Sequence, residues 1–327
     1  MTSVLLTDSD RFPFAPGEVD ELTQAGGVLD LLPGHDPEDI AAAGRSAAGV
    51  LVYSGRFDAA LLARLRECRI LARCGVGYDN IDVRAAAERG IVVTYVPAYG
   101  ADDVAEHAIA LLFACARRLG RCDRGVQAGR WPSYGELGQM RRLRGRTLGL
   151  LGFGRIAREV ASRASGLRLR VIAHDPFVAP AEVRDAGAEL VPARRLFAES
   201  DFLSVHLPLA PDTRHLVGRE AFALMRPTAY LINTSRGAVV DQAALVAALD
   251  ARLIAGAGLD VLDGEPPGAA DPLLRHPDVI ITPHSAAYTE EALGEVRRTA
   301  LADVVRVLRG QRPVYPVPEP AGKEARA

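Results

Sequence analysis

Three residues in the second half of the sequence, Arg236, Glu265 and His284, have side chains that could act together on a carbonyl compound. Arginine is planar and permanently charged, so it binds a carboxylate through two parallel hydrogen bonds. Histidine exchanges a proton near neutral pH, and a neighbouring carboxylate favours its protonated form. A carbonyl group that receives hydride gains negative charge and needs such a proton donor. The set therefore suits the reduction of a 2-oxo acid.

Each of these residues follows an apolar segment that predicts a buried strand. Arg236 belongs to LINTSRG, Glu265 to GLDVLDGEPP and His284 to IITPHSAA. Ligands of open α/β sheets bind outside the carboxyl ends of the strands, so we expect all three at one edge. The alternatives are a surface arginine after a turn, a core histidine and an ordinary turn in GEPP. The same edge is expected to carry four further polar residues, His206, Thr234, Ser235 and Asp260.

A glycine motif indicates a dinucleotide site. Gly152, Gly154 and Ala157 form G-x-G-x-x-A between an apolar segment and a predicted helix, whose N-terminus would hold the phosphates. Arg155 could add positive charge. Asp175 ends the next predicted strand, about 20 residues on, where a carboxylate binds the ribose hydroxyl and repels a 2′-phosphate. The motif therefore favours NAD over NADP, although an ordinary strand–helix turn is the alternative.

Two blocks of alternating strands and helices organise the chain, and such alternation predicts parallel sheets covered by helices. We expect an α/β fold with two domains, residues 1–100 plus 290–327 and residues 101–289. The segments FDAALLARLREC (57–68) and 290–309 are among the predicted helices. The predicted strands are SVLLTD, GVLDLL, AGVLVYS, RILARCG and GIVVTYVP in the first block, and TLGLLGFG, LRVIAHD, DFLSVHLP, AYLINTSRG, IAGAGLDV and VIITPH in the second.

A long helix is predicted over residues 101–120. Acidic residues crowd its start and arginines its end, which suits the helix dipole. Its wide apolar face predicts burial, and a second subunit is one candidate to cover it. His107 lies within this helix, where burial or a subunit contact is expected rather than catalysis. Residues 121–145 are predicted to be an irregular arm, and a homodimer through helix and arm is expected.

The composition excludes several classes of protein. A net charge of −2 gives no sign of a nucleic-acid or membrane partner. The sole lysine is Lys323, which argues against Schiff-base chemistry and a lysine-bearing phosphate loop. The four cysteines have no metal spacing, so we predict free thiols and no metal site. Neither a signal peptide nor a membrane span is visible, so a cytoplasmic location is expected.

Over about residues 45 to 315 the sequence resembles the D-isomer-specific 2-hydroxyacid dehydrogenases, the family of phosphoglycerate dehydrogenase, hydroxypyruvate reductase and the C-terminal-binding proteins. The motifs are GVGYDNID, VAEHAIALL, GLLGFGRIA, SVHLPLAPDTRHLV, LINTSRGAVVD, GLDVLDGEPP and TPHSAA. The resemblance implies a flavodoxin-like substrate domain and a Rossmann NAD-binding domain with a cleft between them. It also implies that Arg236 binds substrate, that His284 exchanges the proton and that Glu265 pairs with His284.

Further site residues follow from the resemblance together with the motifs. Asp260 would contact the nicotinamide carboxamide. The expected cofactor residues are Gly152, Gly154, Arg155, Ile156, Asp175, His206, Leu207, Pro208, Thr213, Thr234, Ser235 and Asp260. The expected substrate residues are Ser54, Arg73, Val76, Gly77 and Arg236. For Arg73 a structural ion pair is an equal alternative.

Two other functions remain open at this point. The C-terminal-binding proteins are NAD-responsive corepressors with the same three residues, so a regulator is one alternative. A dehydrogenase for a phosphonate or phosphite substrate is another, because Arg56 and Arg73 could bind an additional anion. The sequence departs from many relatives at Thr94, where they have asparagine. It ends soon after the last helix, so a regulatory C-terminal domain is not expected.

Overall fold

The computed structural model describes residues 1–15 and 17–318, so Lys323 lies outside the described residues. The chain divides into two compact units, one formed by residues 1–99 with the chain from residue 289 onward and the other by residues 100–288. Among the described residues, no helix combines the length and apolar character needed to cross a membrane.

The first unit is built on a parallel sheet of short, apolar strands. In the described part of residues 1–99 the strands are β1 Thr2–Leu6, β2 Gly27–Leu31, β3 Gly49–Val52, β4 Ile70–Arg73 and β5 Val92–Thr94. The helices are α1 Asp20–Gln24, α2 Pro37–Ala43, α3 Ala59–Leu62 and α4 Val83–Ala87. The strand order β2-β1-β3-β4-β5 is that of flavodoxin-like folds.

Helix α3 is shorter than the predicted helix over residues 57–68. Asp58 caps its start, accepting a hydrogen bond from the Leu61 N–H at 2.9 Å, but the helix ends at Leu62. Turns then carry Leu65 and Cys68 into the same core. The apolar pattern therefore predicted correctly which residues are buried. It did not predict where the helix ends, because tertiary packing sets the backbone conformation after Leu62.

The second unit is built on a larger parallel sheet. Its strands are β6 Thr147–Leu151, β7 Arg170–His174, β8 Glu189–Leu190, β9 Phe202–Val205, β10 Tyr230–Asn233, β11 Gly256–Leu259 and β12 Val279–Ile281. Its helices are α5 Ala101–Ala116, α6 Leu119–Gln127, α7 Tyr134–Leu137, α8 Arg155–Gly166, α9 Pro180–Asp185, α10 Ala193–Glu199, α11 Arg219–Leu224 and α12 Gln242–Asp250.

The order β12-β11-β10-β9-β6-β7-β8 reverses direction between β6 and β9. This is the doubly wound arrangement in which a dinucleotide binds at the switch point. All pairings between these strands are parallel, and Thr94 of β5 also makes one isolated antiparallel bridge with Pro316. The predicted α/β fold with two doubly wound parallel sheets is therefore confirmed.

The prediction of one helix over residues 101–120, followed by an irregular arm, is wrong in detail. Helix α5 ends at Ala116, and α6 starts after Arg118, whose φ of 50° is left-handed. The Arg118 guanidinium donates to Asp278 at 2.7 Å, which fixes the break. Residues 121–127 and 134–137 of the predicted arm are therefore helical, in α6 and α7.

Helix α13, Glu290–Leu308, returns to the first unit and packs on β3 and β4. Thr289 caps its start by accepting a hydrogen bond from the Ala292 N–H at 3.1 Å. The buried Asp303 carboxylate accepts backbone hydrogen bonds from Val314 at 2.6 Å and Tyr315 at 3.1 Å. The chain that follows the helix is thereby tied to the same unit.

Candidate active site

The turn after β10 is held by a buried asparagine. Asn233 is 1% exposed, and its Oδ1 accepts hydrogen bonds from the Ser235 N–H at 3.0 Å and the Ser235 hydroxyl at 2.8 Å. Its Nδ2 donates to the Arg236 carbonyl at 3.0 Å. Because both ends of this amide act on the turn, the backbone of Arg236 is fixed just outside the sheet.

Gly237 brings this turn against the loop that carries Glu265. A Cβ on Gly237 would lie 1.9 Å from the Leu262 carbonyl carbon and 2.4 Å from the Asp263 nitrogen. Such distances are far below van der Waals contact, so only glycine fits. The Leu262 N–H donates to Glu265 Oε1 at 2.8 Å. The close approach therefore places Arg236 beside the carboxylate of Glu265.

Glu265 and His284 form a direct pair. His284 Nδ1 lies 2.6 Å from Glu265 Oε2. Burial alone raises the pKa of Glu265. The hydrogen bond and charge of His284, the Leu262 N–H and the nearby Arg236 charge lower that pKa more, so it lies below its usual value. Glu265 is thus an anion that engages one ring nitrogen and leaves Nε2 for another partner.

His284 sits in an uncommon backbone conformation held by Asp260. Its φ is 54°, and its N–H donates to the Asp260 carbonyl at 2.8 Å. Asp260 is 2% exposed, and its carboxylate accepts from the backbone N–H groups of Ser285 and Ala286, both at 2.9 Å. It also accepts from the Thr282 hydroxyl at 2.5 Å. Asp260 therefore holds the turn that carries His284, and its contact with the nicotinamide stays a prediction.

The glycine motif forms a tight turn at the switch point. Gly152 has a φ of 89°, and a Cβ there would lie 2.7 Å from the His206 carbonyl oxygen. A Cβ on Gly154 would meet nothing within 4 Å. Gly154 is the N-cap of α8 and brings no side chain to its start, where Arg155 and Ile156 follow. This end of α8 is therefore open to phosphate groups, which free N–H groups and the helix dipole attract.

Asp175 lies at the end of β7, next to the glycine turn. Its carboxylate accepts hydrogen bonds from the N–H groups of Phe153 at 2.8 Å and Phe177 at 2.9 Å. Each oxygen keeps a further lone pair for a ribose hydroxyl, and the negative charge opposes a 2′-phosphate. The residues present thus fit a dinucleotide without a 2′-phosphate.

The end of β9 lines the same turn. His206 Nε2 is 2.9 Å from the Ser204 hydroxyl, and burial lowers the pKa of His206 to about 4. Leu207 lies close to Gly152, because a Cβ added to Gly152 would be 3.0 Å from the Leu207 side chain. Beyond it, the Thr213 hydroxyl donates to the Pro208 carbonyl at 2.7 Å and accepts from Ala210 N–H at 2.8 Å. Thr213 therefore shapes this loop, and its contact with the cofactor stays a prediction.

Thr234 carries a polar atom that suits a ligand. The residue is 8% exposed, and within the described part of the chain its hydroxyl oxygen has no hydrogen-bond partner. Buried polar groups are almost always paired, so an orphan at the carboxyl edge indicates a group that arrives on binding. With the open start of α8 and the Asp175 carboxylate, it fits a nicotinamide dinucleotide.

Comparison with known proteins gives the family. The model of the D-isomer specific 2-hydroxyacid dehydrogenase NAD binding domain matches residues 109–286. A glyoxylate reductase of Korarchaeum cryptofilum is 42% identical over 266 residues, 81% of this chain and 80% of that protein. The chain belongs to the D-isomer-specific 2-hydroxyacid dehydrogenase family. The predicted family and the predicted nicotinamide cofactor class are therefore confirmed, and the predicted enzyme class is that of the relatives.

Two further relatives set the range of the similarity. A D-3-phosphoglycerate dehydrogenase of Archaeoglobus fulgidus is 37% identical over 299 residues, 91% of this chain but 56% of that protein. The chain thus spans little more than half the length of that relative. The crystal structure of the TT0316 protein from Thermus thermophilus has a TM-score of 0.88 at 33% identity, covering 97% of this chain and 100% of that one.

Apart from Arg236, the residues predicted to bind substrate lie at the carboxyl edge of the first sheet. Ser54 follows β3, and Arg73 is the last residue of the neighbouring strand β4, where it is in register with Val52. The Arg73 guanidinium folds over Gly75 and donates to the Cys74 carbonyl. Val76 is 41% exposed and Gly77 is half-buried beside it. The first unit and the second unit thus each carry part of the predicted set.

Sequence reasoning missed a buried carboxylate at this edge. Asp8 is fully buried, has a φ of 55° and follows β1. It accepts from the Ser54 N–H at 3.0 Å and lies 2.6 Å from His35 Nδ1. Asp8 and Ser54 flank the switch point of this sheet, between β1 and β3. The motif TDSD is ordinary in a loop, so only the strand order reveals the pairing.

Proposed function

We propose that this chain is an NAD-dependent dehydrogenase that interconverts a D-2-hydroxy acid and its 2-oxo acid. The observation that carries the proposal is the triad of Arg236, Glu265 and His284 at the carboxyl edge of a sheet whose glycine turn fits a dinucleotide. Relatives named glyoxylate reductase and D-3-phosphoglycerate dehydrogenase support the same reaction class.

The roles of the chain's own residues follow from their chemistry. The start of α8 and Asp175 would hold a nicotinamide dinucleotide, which would supply or accept the hydride at carbon 2 of the substrate. Arg236 binds the substrate carboxylate and its neighbouring oxygen, because a guanidinium matches both. His284 gives a proton from Nε2 to the carbonyl oxygen in reduction and takes it back in oxidation. Glu265 fixes Nδ1, which sets the orientation of the ring and stabilises its charged form.

On the substrate side, Ser54, Arg73, Val76 and Gly77 stay predicted contacts. Backbone N–H groups of the glycine-containing turn suit a carboxylate, and Arg73 adds positive charge. Small 2-oxo acids are the proposed substrate class. A second anionic group on the substrate would have Arg56 and Arg73 as candidate partners.

The test follows NADH oxidation at 340 nm with glyoxylate, hydroxypyruvate, pyruvate, phosphonopyruvate, phenylpyruvate and 2-oxoisocaproate, and repeats the best substrate with NADPH. We expect one or more of these acids to turn over, NADH to be preferred, and the reverse reaction to take the D-hydroxy acid and not its L-enantiomer. Turnover of the L-enantiomer would overturn the stereochemical assignment. A preference for NADPH would overturn the role of Asp175.

The same assay separates the alternatives. Tight NADH binding with no turnover on any of these acids would favour the NAD-responsive regulator. Oxidation of phosphite or a phosphonate with NAD, in place of the hydroxy acids, would favour the specialised dehydrogenase. A cytoplasmic location stays a prediction.

We further propose a homodimer through α5, α6 and the segment up to residue 145. This region carries exposed apolar side chains that a monomer would leave in water, among them Leu119, Val126, Trp131 and Tyr134, which are 52%, 49%, 88% and 93% exposed. We expect light scattering at micromolar concentration to give twice the chain mass of 34.9 kDa. A monomer mass would rule the dimer out.

A further inference from the structure

His107, on helix α5, reaches the turn that carries His284 without being part of the Arg236, Glu265 and His284 set. Its side chain is 24% exposed, and Nε2 lies 2.9 Å from the Thr282 hydroxyl. The same nitrogen is 3.5 Å from Asp260 Oδ1. His107 therefore meets both side chains that hold the segment 282–286.

The hydrogen bonds fix which nitrogen of His107 carries a proton. The Thr282 hydroxyl has one proton and donates it to Asp260 Oδ1 at 2.5 Å. Its oxygen can therefore only accept from His107, so Nε2 of His107 must carry hydrogen. His107 is thus a donor at the start of a directed chain, from His107 to Thr282 to Asp260.

Helix α5 can take part because it lies unusually close to the sheet. A Cβ on Gly258, in the middle of β11, would lie 3.0 Å from the Leu111 side chain and 3.2 Å from Cys115 Sγ. Any larger residue at position 258 would press the helix away. The glycine therefore brings α5 near enough to the ends of β11 and β12 for an imidazole to reach Thr282.

The chain of donors ends on the Asp260 carboxylate, which also accepts hydrogen bonds from the backbone of the His284 turn. Asp260 accepts from the N–H groups of Ser285 and Ala286, and the His284 N–H donates to the Asp260 carbonyl. His284 has a φ of 54°, a conformation that costs free energy for any residue other than glycine and persists where its surroundings over-determine it. Asp260 holds His284 in this conformation through these hydrogen bonds. A buried carboxylate is stable only where donors surround it, so Asp260 depends in turn on Thr282 and the two N–H groups.

We propose that His107 is a positioning residue for the proton-transferring His284, acting through Thr282 and Asp260. The inference rests on the proposed dehydrogenase function, in which His284 exchanges the proton. Loss of the Nε2 donor frees the Thr282 hydroxyl to rotate away and leaves Asp260 short of one donor. The turn 284–286 then loosens, and the distance from His284 to the substrate is no longer fixed.

The test compares His107→Leu, which removes the donor, with His107→Gln, whose amide N–H can occupy the place of Nε2–H. His276→Leu is the control, because His276 is also half-buried in this unit but accepts a hydrogen bond from its own loop at Asp278, before β12. Each variant is assayed for kcat and KM with the best 2-oxo acid, for NADH affinity by fluorescence, for melting temperature, and for hydrogen exchange of the peptide spanning 282–288.

For His107→Leu we expect kcat to fall roughly 10- to 100-fold, because small misplacements of a reacting group cost about this much. We expect KM and NADH affinity to stay near the wild-type values and exchange at Ser285 and Ala286 to accelerate. His107→Gln should recover most of kcat and the slow exchange, and His276→Leu should leave both unchanged.

The inference fails if His107→Leu keeps wild-type kcat and slow exchange at 285–286. It also fails if His107→Gln is as impaired as His107→Leu while both melt earlier, since His107 would then act on stability alone. An inactive wild-type enzyme would overturn the proposed function instead, and the exchange experiment would still decide whether His107 holds the turn.

Discussion

Arg236 and His284 are both exposed enough to meet a substrate, and both depend on a buried polar residue beneath them. Asn233 fixes the turn of Arg236, and Asp260 fixes the turn of His284. The two supporting residues are 1% and 2% exposed. Both side chains form hydrogen bonds with backbone groups of the residues that follow them. These bonds make the backbone rigid where it carries the charged side chain of Arg236 and the ring of His284.

Arg236→Gln tests the residue that binds the substrate carboxylate. We expect kcat/KM for the best 2-oxo acid to fall on the order of 10²–10⁴-fold, because a charged, bidentate partner of the substrate is lost. NADH affinity should change little. Steady-state kinetics measure the first and fluorescence titration the second. Arg219→Gln, on the exposed start of α11, is the control and should behave as wild type. Near-normal turnover of Arg236→Gln would remove Arg236 from the site.

His206 makes the stability of the protein depend on pH. Burial lowers its pKa from the usual 6.5 to about 4, so between these values the unfolded chain binds a proton that the folded chain does not. The free energy of unfolding must then decrease as pH falls from about 6.5 to about 4, by up to about 3 kcal/mol, and His206 adds no further loss below that.

His206→Gln removes this titration but can keep a hydrogen bond to Ser204. Urea unfolding of both proteins at pH 7, 6, 5 and 4 measures the effect. We expect the wild type to lose more stability than His206→Gln over this range, with the difference developing between pH 6.5 and 4. Parallel curves for the two proteins would mean that His206 is solvated in the native state.

Strands and helices come into place through glycines at close approaches. Gly237 lets the turn after β10 lie against the Leu262 backbone, and Gly258 lets α5 lie on β11. Gly152 does the same between β6 and the end of β9. At each of these three positions the absence of a side chain lets two elements approach closely, and a functional residue lies beside the contact. The distances between the elements therefore set the geometry of the site.

Gly237→Ala should damage the site without touching a functional side chain. The added Cβ meets backbone atoms of 262–263 at 1.9 to 2.4 Å, so one of the two loops must move. Overpacking of this kind costs about 1–3 kcal/mol, and we expect a similar loss in unfolding free energy together with a lower kcat/KM. Chemical unfolding and steady-state kinetics give the two values.

Gly268→Ala is the matched control for Gly237→Ala. It lies in the nearby loop, and a Cβ there meets nothing within 4 Å. We expect wild-type stability and activity. If both alanine variants behave as wild type, the contact between the Arg236 turn and the Leu262 backbone does not set the site.

Strand positions could be predicted from the sequence because buried parallel strands are nearly continuous apolar runs, as in GVLV of β3 and YLIN of β10. The ends of the helices could not be predicted in this way. The break between α5 and α6 depends on Arg118 reaching Asp278, about 160 residues along the chain. The end of α3 depends on how Leu65 and Cys68 fit the core. Such contacts are made only after distant segments meet.

The same division holds for the site. Arg236, Glu265 and His284 stand in motifs that place them after strands, so their common edge followed from the parallel sheet. The residues that hold these three in place could not be predicted. Asn233 and Thr282 look like ordinary strand-end residues, and His107 stands in an apolar helix. Their roles arise from hydrogen bonds across the fold, such as that from His107 to Thr282 at 2.9 Å, for which local sequence carries no signal.

The four cysteines are distributed over both units, so the reactivity of their thiols tests the packing of each unit. Cys68 and Cys74 are buried in the first unit and Cys115 in the second, and burial raises the pKa of each of these thiols to about 12. At pH 8 almost none of each is thiolate, the form that reacts. Cys122, on α6, is half-buried. We therefore expect one thiol to react rapidly with a disulfide reagent in the native protein and all four after unfolding.

Because α6 belongs to the proposed subunit interface, the rate of the rapid thiol also tests the dimer. A dimer through α6 would cover Cys122, so its labelling should slow as the protein concentration rises through the range in which light scattering detects association. Cys122→Ser should lose the rapid phase entirely, which identifies the thiol. Any rapid thiol that remains in that variant would contradict the burial of Cys68, Cys74 or Cys115. A labelling rate that stays constant while the mass doubles would place the interface away from α6, and the exposed side chains of Trp131 and Tyr134 would then need another partner.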